Sequence, residues 1–279
     1  MQTTAHHYAI QLRMKDFPLF VFSIALGAFL SVTGLLVAQD PGEHEREELG
    51  INPYTAPSVA EIFQQLDDLR PLPFDQLKRD FPQAAHASRE QMGLVFGGLV
   101  ADGFLIVESQ RQNLVEDLGR VLLRQARSLG VGDRVMRHSA SLTELGKKGD
   151  WKAVRGELLS TQEDVEEAMT ELRDQKMAHL ISLGGWLRGL EICAGAVESN
   201  YTGDRAAVLW QRDLINYFSE ELQTLPPAVS HKPLFEKVRA GVDEIRDLLN
   251  KAPESPSMAE VKTLHAKAKD LNLAIAAAE

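Results

Sequence analysis

Helix packed on helix is the architecture this sequence predicts: an all-α, multi-helix bundle. Three observations carry the prediction. Apolar residues recur at helical spacing along nearly the whole chain after residue 57. Capping and breaking residues punctuate that pattern at helix-length intervals. β-Branched runs with strict alternation between turn residues do not occur.

The first element is residues 17–38 (FPLFVFSIALGAFLSVTGLLVA), which opens at Phe17, closes at Ala38 and contains no charge. As a helix it spans about 33 Å, enough to cross a hydrocarbon core of ~30 Å. Arg13 and Lys15 precede it, and Asp40, Glu43, Glu45, Glu47 and Glu48 follow. The basic flank stays cytoplasmic, which puts the bulk of the chain outside. Residues 1–38 are thus read as a membrane anchor or a signal peptide. The long apolar run and the poor small-x-small exit at Leu36-Val37-Ala38-Gln39 favour the anchor. Either reading gives a periplasmic or otherwise extracytoplasmic protein of the cell envelope, and the anchor gives one membrane contact.

Residues 39–57 are rich in Pro, Gly and Glu without apolar period, as expected of a flexible acidic linker. Residues 58–250 read as one helical domain. Ser58 and Glu61 form a predicted capping box ahead of Val59, Ile62, Phe63 and Leu66. Pro71, Pro73 and Pro82 bracket a short helix through Leu77. A longer helical pattern runs from Ser88 to a stop at Gly130. Further helices are predicted at 133–147, 150–182, 183–199, 203–224 and 232–250. Residues 251–279 hold a Pro-rich linker and a last helix at 257–277, capped by Ser257 and Glu260. Its modest apolar content predicts weak docking or projection from the body.

Composition narrows the function. The chain has 279 residues, 40 acidic and 30 basic, with a net charge of −10. Residues 1–39 carry Arg13, Lys15 and Asp16, a net +1, so the remainder carries −11. That balance argues against a nucleic-acid partner, which needs a basic stripe to displace counterions. A single cysteine, Cys193, excludes an intrachain disulfide and a cysteine-only metal cage. No zinc helix, haem attachment, nucleophile elbow, P-loop or EF-hand loop is present, so no cofactor or metal is predicted.

Two segments stand apart. Residues 92–107 (MGLVFGGLVADGFLIV) and 180–197 (LISLGGWLRGLEICAGAV) are apolar on nearly every face and predict central helices. The first carries Gly93, Gly97, Gly98 and Gly103; the second Gly184, Gly185, Gly189 and Gly195. Four interior glycines cost a helix about 3–4 kcal/mol relative to alanine. Close backbone approach along Gly93/Gly97 and Gly185/Gly189 is the predicted compensation. The segments also share a faint likeness, each running from a Gly-Gly pair to an exit at Glu-Ser (Glu108-Ser109 and Glu198-Ser199).

Each segment hides charge: Asp102 in the first, Arg188 and Glu191 in the second. Ions inside an apolar bundle must be paired. The expectation is that the two helices pack side by side, Arg188 bridges Asp102, and Glu191 lies one turn along. With Trp186 these residues form a buried polar cluster, structural or ligand-binding. Trp186 alone reads as a core anchor. His138 beside Arg134 and Arg137 reads as part of a solvated face, His179 as a partly buried core histidine, and Cys193 as an inert thiol. The acidic run Glu163, Asp164, Glu166, Glu167 and Glu171 reads as a solvated helix face. The functional expectation is a non-catalytic binding or structural module with a protein or small-molecule partner; the alternative is a ligand-sensing or enzymatic bundle using the Asp/Arg/Glu pocket.

Overall fold

Two helices with almost no polar face must be enclosed by the others, and that requirement organises the molecule. The computed structural model describes residues 60–83, 88–251 and 254–277. The predicted anchor or signal at 17–38, the linker at 39–57 and the capping serine Ser58 lie outside the described residues. The described elements are α1 (Ala60–Asp68), α2 (Phe74–Leu77), α3 (Arg89–Glu108), α4 (Gln112–Ser128), α5 (Gly132–Lys148), α6 (Trp151–Glu171), α7 (Gln175–Ser199), α8 (Gly203–Ala207), α9 (Arg212–Gln223), α10 (Pro227–Ser230), α11 (Pro233–Lys251) and α12 (Met258–Ala276). Among the described residues every regular element is a helix, and all belong to one compact unit.

Helices α3 and α7 are the apolar pair, continuous through their double glycines. By length and composition both could cross a membrane, yet nearly every residue of each is buried inside the protein. Contacts advance in the same direction along both: Gly93 faces Met177, Gly97 faces Ile181, and Asp102 meets Arg188. The two helices therefore run parallel. Helix α4 packs on α3 and α5, α5 on α6, and α6 returns to α3. In the second half α9 packs on α11, α11 on α12, and α12 returns to α7. Each central helix thus opens a group of four. The surrounding helices bury one stripe each, as in α4 with Val115, Leu118, Val121 and Leu122.

The glycines work differently from the expected i, i+4 grooves. A Cβ on Gly97 would lie 1.8 Å from the Ile181 carbonyl oxygen and 2.6 Å from the Gly185 nitrogen. One on Gly184 would lie 2.0 Å from the Leu94 oxygen. The contact is therefore reciprocal, Gly97 on one helix and Gly184 on the other, each seating the opposite backbone. Gly93 faces the flexible Met177 thioether, and Gly98 faces first the guanidinium of Arg79, 2.8 Å from the Cβ position, with Gly184 and Arg188 of α7 at 3.7 and 3.8 Å.

Four successive helix ends are closed alike. Residues Gln110, Gly130, Gly149 and Arg173 have positive φ. The amide of the residue just before the new helix reaches back five residues: Arg111 to Ile106 (2.9 Å), Val131 to Ala126 (2.9 Å), Asp150 to Leu145 (3.2 Å) and Asp174 to Met169 (2.8 Å). These are Schellman closures. Two use glycine; Gln110 and Arg173 do so at some steric cost. Arg173 explains why the predicted helix 150–182 divides at residues 172–174, with Asp174 accepting from the Met177 amide to start α7. The second apolar helix accordingly begins at Gln175, not 183. The predicted helix 203–224 also divides, into α8 and α9.

The last helix is a full member of the bundle, not a weakly docked appendage. Val261, Leu264, Ala268, Leu271 and Ile275 are buried against α7 and α11. Asn272 donates to the Leu187 carbonyl at 3.0 Å, and Gln91 of α3 donates to the carbonyls of Ile275 and Ala277. The latter satisfies orphan groups at the C-terminal end of α12. The helical body therefore continues past residue 250.

Candidate functional site

Parallel packing of α3 on α7 brings Asp102 and Arg188 together at the centre of the molecule. Arg188 donates Nε to Asp102 Oδ1 at 2.7 Å and donates Nη2 to the Leu77 carbonyl. Its Nη1 lies 2.8 Å from Glu191 Oε2, three residues on along α7. The side chain of Arg188 is 1% exposed and that of Asp102 5%. Burial alone would lower the pKa of Arg188; Asp102 and Glu191 outweigh it, so the net shift is upward and the charge is held.

A fourth member comes from outside the apolar helices. Arg79, in the segment after α2, donates Nε to Asp102 Oδ2 at 2.7 Å. Asp102 is thus clamped between two guanidiniums, and the four charges sum to zero. Gly98 leaves the space through which Arg79 reaches inward. Trp186 does not join them. Two positions from Arg188 on a helix points a side chain to nearly the opposite side; there Trp186 stacks on Phe218 with centroids 5.5 Å apart and donates to Gln211 at 2.6 Å.

The clamp has a smaller counterpart at the exit of α3. Buried Glu108 pairs with Arg70 and with Arg155 (3.2 Å), and both arginines also meet Asp67 (2.8 and 2.7 Å). Together Arg70, Leu77 and Arg79 strap the segment from α1 to residue 79 onto α3 and α7. Beside this strap runs a groove of about 630 Å³, between the segment containing α2 and the neighbouring faces of α3 and α4; Arg79 and Asp102 form part of its wall.

No family model, curated protein or solved structure matches this chain. The site must therefore be read from its own chemistry.

Of the other titratable groups, His179 is partly buried and Cys193 buried as expected, while His138 occupies a different place. His138 is no solvated surface group: Nδ1 lies 2.6 Å from Glu157 and Nε2 2.9 Å from Asp164, joining α5 to α6. The two carboxylates take opposite ring nitrogens and so do not converge on one point. Among the described residues no group of three such side chains is arranged to hold a metal. His179 accepts or donates through Nδ1 to the Tyr217 hydroxyl, with Glu221 3.9 Å from Nε2. Burial lowers its pKa, against the pull of Glu221. The order Tyr, His, Glu is that of a nucleophile, base and orienter. The cavity beside it, however, holds only about 10 Å³, room for one water at most. Cys193 is wholly buried, and burial pushes its thiol to about 12, which keeps it protonated and unreactive.

The acidic run on α6 is not a uniformly solvated face. Asp164 holds His138, while Glu167 and Glu171 face Arg134. Glu166 is only partly open to solvent, and burial pushes its pKa up to about 8, with Glu163 adding to the rise and a hydrogen bond from Gln162 (2.8 Å) opposing it. The folded state therefore keeps a proton that the unfolded chain loses near 4.5. The contribution is favourable below 4.5 and is lost as pH rises from there through 8. Glu166→Gln, which mimics the protonated acid, is expected to flatten this slope. Near pH 5 its melting temperature should match the parent; at about pH 9 it should exceed it by roughly 4–8 °C, a gain of about 2 kcal/mol. Thermal scans across that range check it, and parallel curves for the two proteins would refute a buried acid.

Proposed function

We propose that this chain is an exported cell-envelope protein, held at the membrane by residues 17–38, whose helical body is a non-catalytic binding or structural module. The observation that carries the reading is the way the inner charges are consumed. Asp102 receives a bond from Arg79 and another from Arg188, and Glu191 balances the second guanidinium. A group fixed as an acceptor on both oxygens is poorly placed to take a substrate proton. The same bonds tie three parts of the chain together, the segment at Arg79, α3 and α7, which is what a rigid module needs. The address rests on the sequence: an uncharged run with basic residues before it and acidic residues after it.

A second reading, a ligand-sensing bundle, is favoured by one observation: Arg79 and Asp102 border the groove of about 630 Å³, within the size range of small-molecule sites. It keeps the body non-catalytic while giving the cluster a ligand to answer to.

Reporter fusions to the C-terminus of the full chain test the address. Alkaline phosphatase, which needs oxidising surroundings for its disulfides, should be active, and a fluorescent protein that requires the cytoplasm should be dark. An Ile24→Arg/Leu26→Arg double variant should reverse both. A bright fluorescent fusion with inactive phosphatase on the parent chain would overturn export.

A further inference from the structure

The groove beside the strap has a lining that selects for one kind of ligand. Its apolar surface comes from Phe74, Phe81, Leu105, Ile106 and Leu114, of which Phe74, Leu105 and Ile106 are buried members of the core. Of its rim charges, Asp75 is met by Lys78 at 2.9 Å and Asp117 is paired with Arg120, while Asp80, next to Arg79 in the chain, adds a further carboxylate to the lining. The charges set into the wall are Arg79, whose side chain is 24% exposed, and its buried partner Asp102. The Nε of Arg79 is bonded to Asp102 and its Nη2 is lodged against α3, 2.8 Å from where a Cβ on Gly98 would lie, while neither Nη nitrogen has a protein acceptor among the described residues. The same guanidinium also borders a smaller, mixed cavity of about 70 Å³ lined by Asp80, Gly98, Leu94, Leu99 and Asn272.

A guanidinium held through Nε, with Nη groups that no protein acceptor takes, can still donate a charge-assisted hydrogen bond to a carboxylate. Asp102 fixes the guanidinium from behind, so little side-chain freedom is lost when a ligand arrives. Arg111 lies at the rim over the Phe74 ring, 4.6 Å from its centroid, and adds a second positive charge near the mouth. A cation would meet Arg79 head-on, and a wholly polar anion would leave the phenylalanine and leucine walls dry.

We propose that this groove binds an amphipathic monocarboxylate, an apolar or aromatic body lying on Phe74, Phe81 and Leu114 with its carboxylate on the Nη nitrogens of Arg79. The proposal deepens the binding-module reading by naming what the module holds. It does not depend on where the protein resides.

The test uses the full chain in lipid nanodiscs, with empty discs as the blank, and 4-phenylbutanoate as a water-soluble probe. Saturation-transfer NMR should show millimolar or tighter saturable binding above the blank. The neutral 4-phenylbutanamide and the cationic 4-phenylbutylamine should each bind at least about tenfold more weakly, the loss of one charge-assisted pair. Arg79→Gln should weaken the acid by about the same factor and leave the amide unchanged. Because Arg79 also supports Asp102, a second variant is needed: Leu114→Trp, at a half-buried wall position, should fill the groove and abolish binding of acid and amide alike while the helical signal persists. No saturable signal from the acid, equal binding of the three probes, or acid binding untouched by both variants would overturn the proposal. Active phosphatase fusions together with a failed probe would remove the groove assignment and leave the export reading standing; the reverse result would do the opposite.

Discussion

Gly97→Ala is expected to abolish or nearly abolish the native fold, although alanine is the better helix former. The new methyl carbon would fall 1.8 Å from the Ile181 oxygen, 2.6 Å from the Gly185 nitrogen and 2.9 Å from the Ile181 carbonyl carbon. All three belong to the backbone of α7, so no side chain can swing aside. The two central helices must separate by more than an ångström. That movement opens the reciprocal contact of Gly184 with Leu94 and lengthens the Asp102–Arg188 bond across the same interface. The gain in helix propensity, about 1 kcal/mol, is small beside the packing lost from two fully buried helices. A loss above about 4 kcal/mol is expected, which lowers the melting temperature by roughly 8–16 °C or leaves no cooperative transition. Gly156→Ala is the control. Nothing lies within 4 Å of a Cβ there, on the exposed side of α6, so this variant should gain about 0.5–1 kcal/mol. Thermal and urea unfolding followed by circular dichroism separates the two. A Gly97→Ala protein as stable as its parent would mean that the helices do not touch at their backbones.

Arg188→Ala comes next in size. The substitution leaves Glu191 without its cation, strips one of two donors from Asp102 and orphans the Leu77 carbonyl. Removing one partner of a buried ion cluster costs about 3–5 kcal/mol, because the remaining charges stay desolvated. Arg79 still holds the second oxygen of Asp102, which places the expectation toward the lower end, a fall of about 6–12 °C in melting temperature. The combined variant Asp102→Asn, Arg188→Met, Glu191→Gln should recover much of that loss, since it removes charge and partner together. An Arg188→Ala melting temperature equal to that of the parent would show the cluster to be hydrated in solution.

The fourth member of this cluster could have been sought by counting charge. Two carboxylates, Asp102 and Glu191, against one guanidinium leave one negative charge unmatched in a dry interior, and a second cation is required. Nothing local points to Arg79, however. It stands in a short segment between proline-bracketed turns, where a lysine or arginine ordinarily faces water. His138 was opaque for the same reason: the carboxylates that hold it lie 19 and 26 residues away on another helix. The helix division at Arg173 left no glycine or proline to mark it, because an ordinary residue adopts the left-handed turn there. Part of what docks the final helix has no apolar signature: Asn272 donates to the Leu187 carbonyl, and Gln91 of α3 lands on the backbone carbonyls of Ile275 and Ala277.

Sequence alone determined that the described body is helical, which two helices are central, and that Asp102 must share the interior with Arg188. Those are consequences of local composition: an apolar run on every face has only the core to occupy, and a charge inside it has only another charge to meet. Tertiary structure alone decided that the two helices run parallel, that Gly97 and Gly184 rather than an i, i+4 pair form the contact, and that Arg79 closes the cluster from outside. These depend on which backbones approach within van der Waals reach, a property of the assembled chain that no stretch of residues carries by itself.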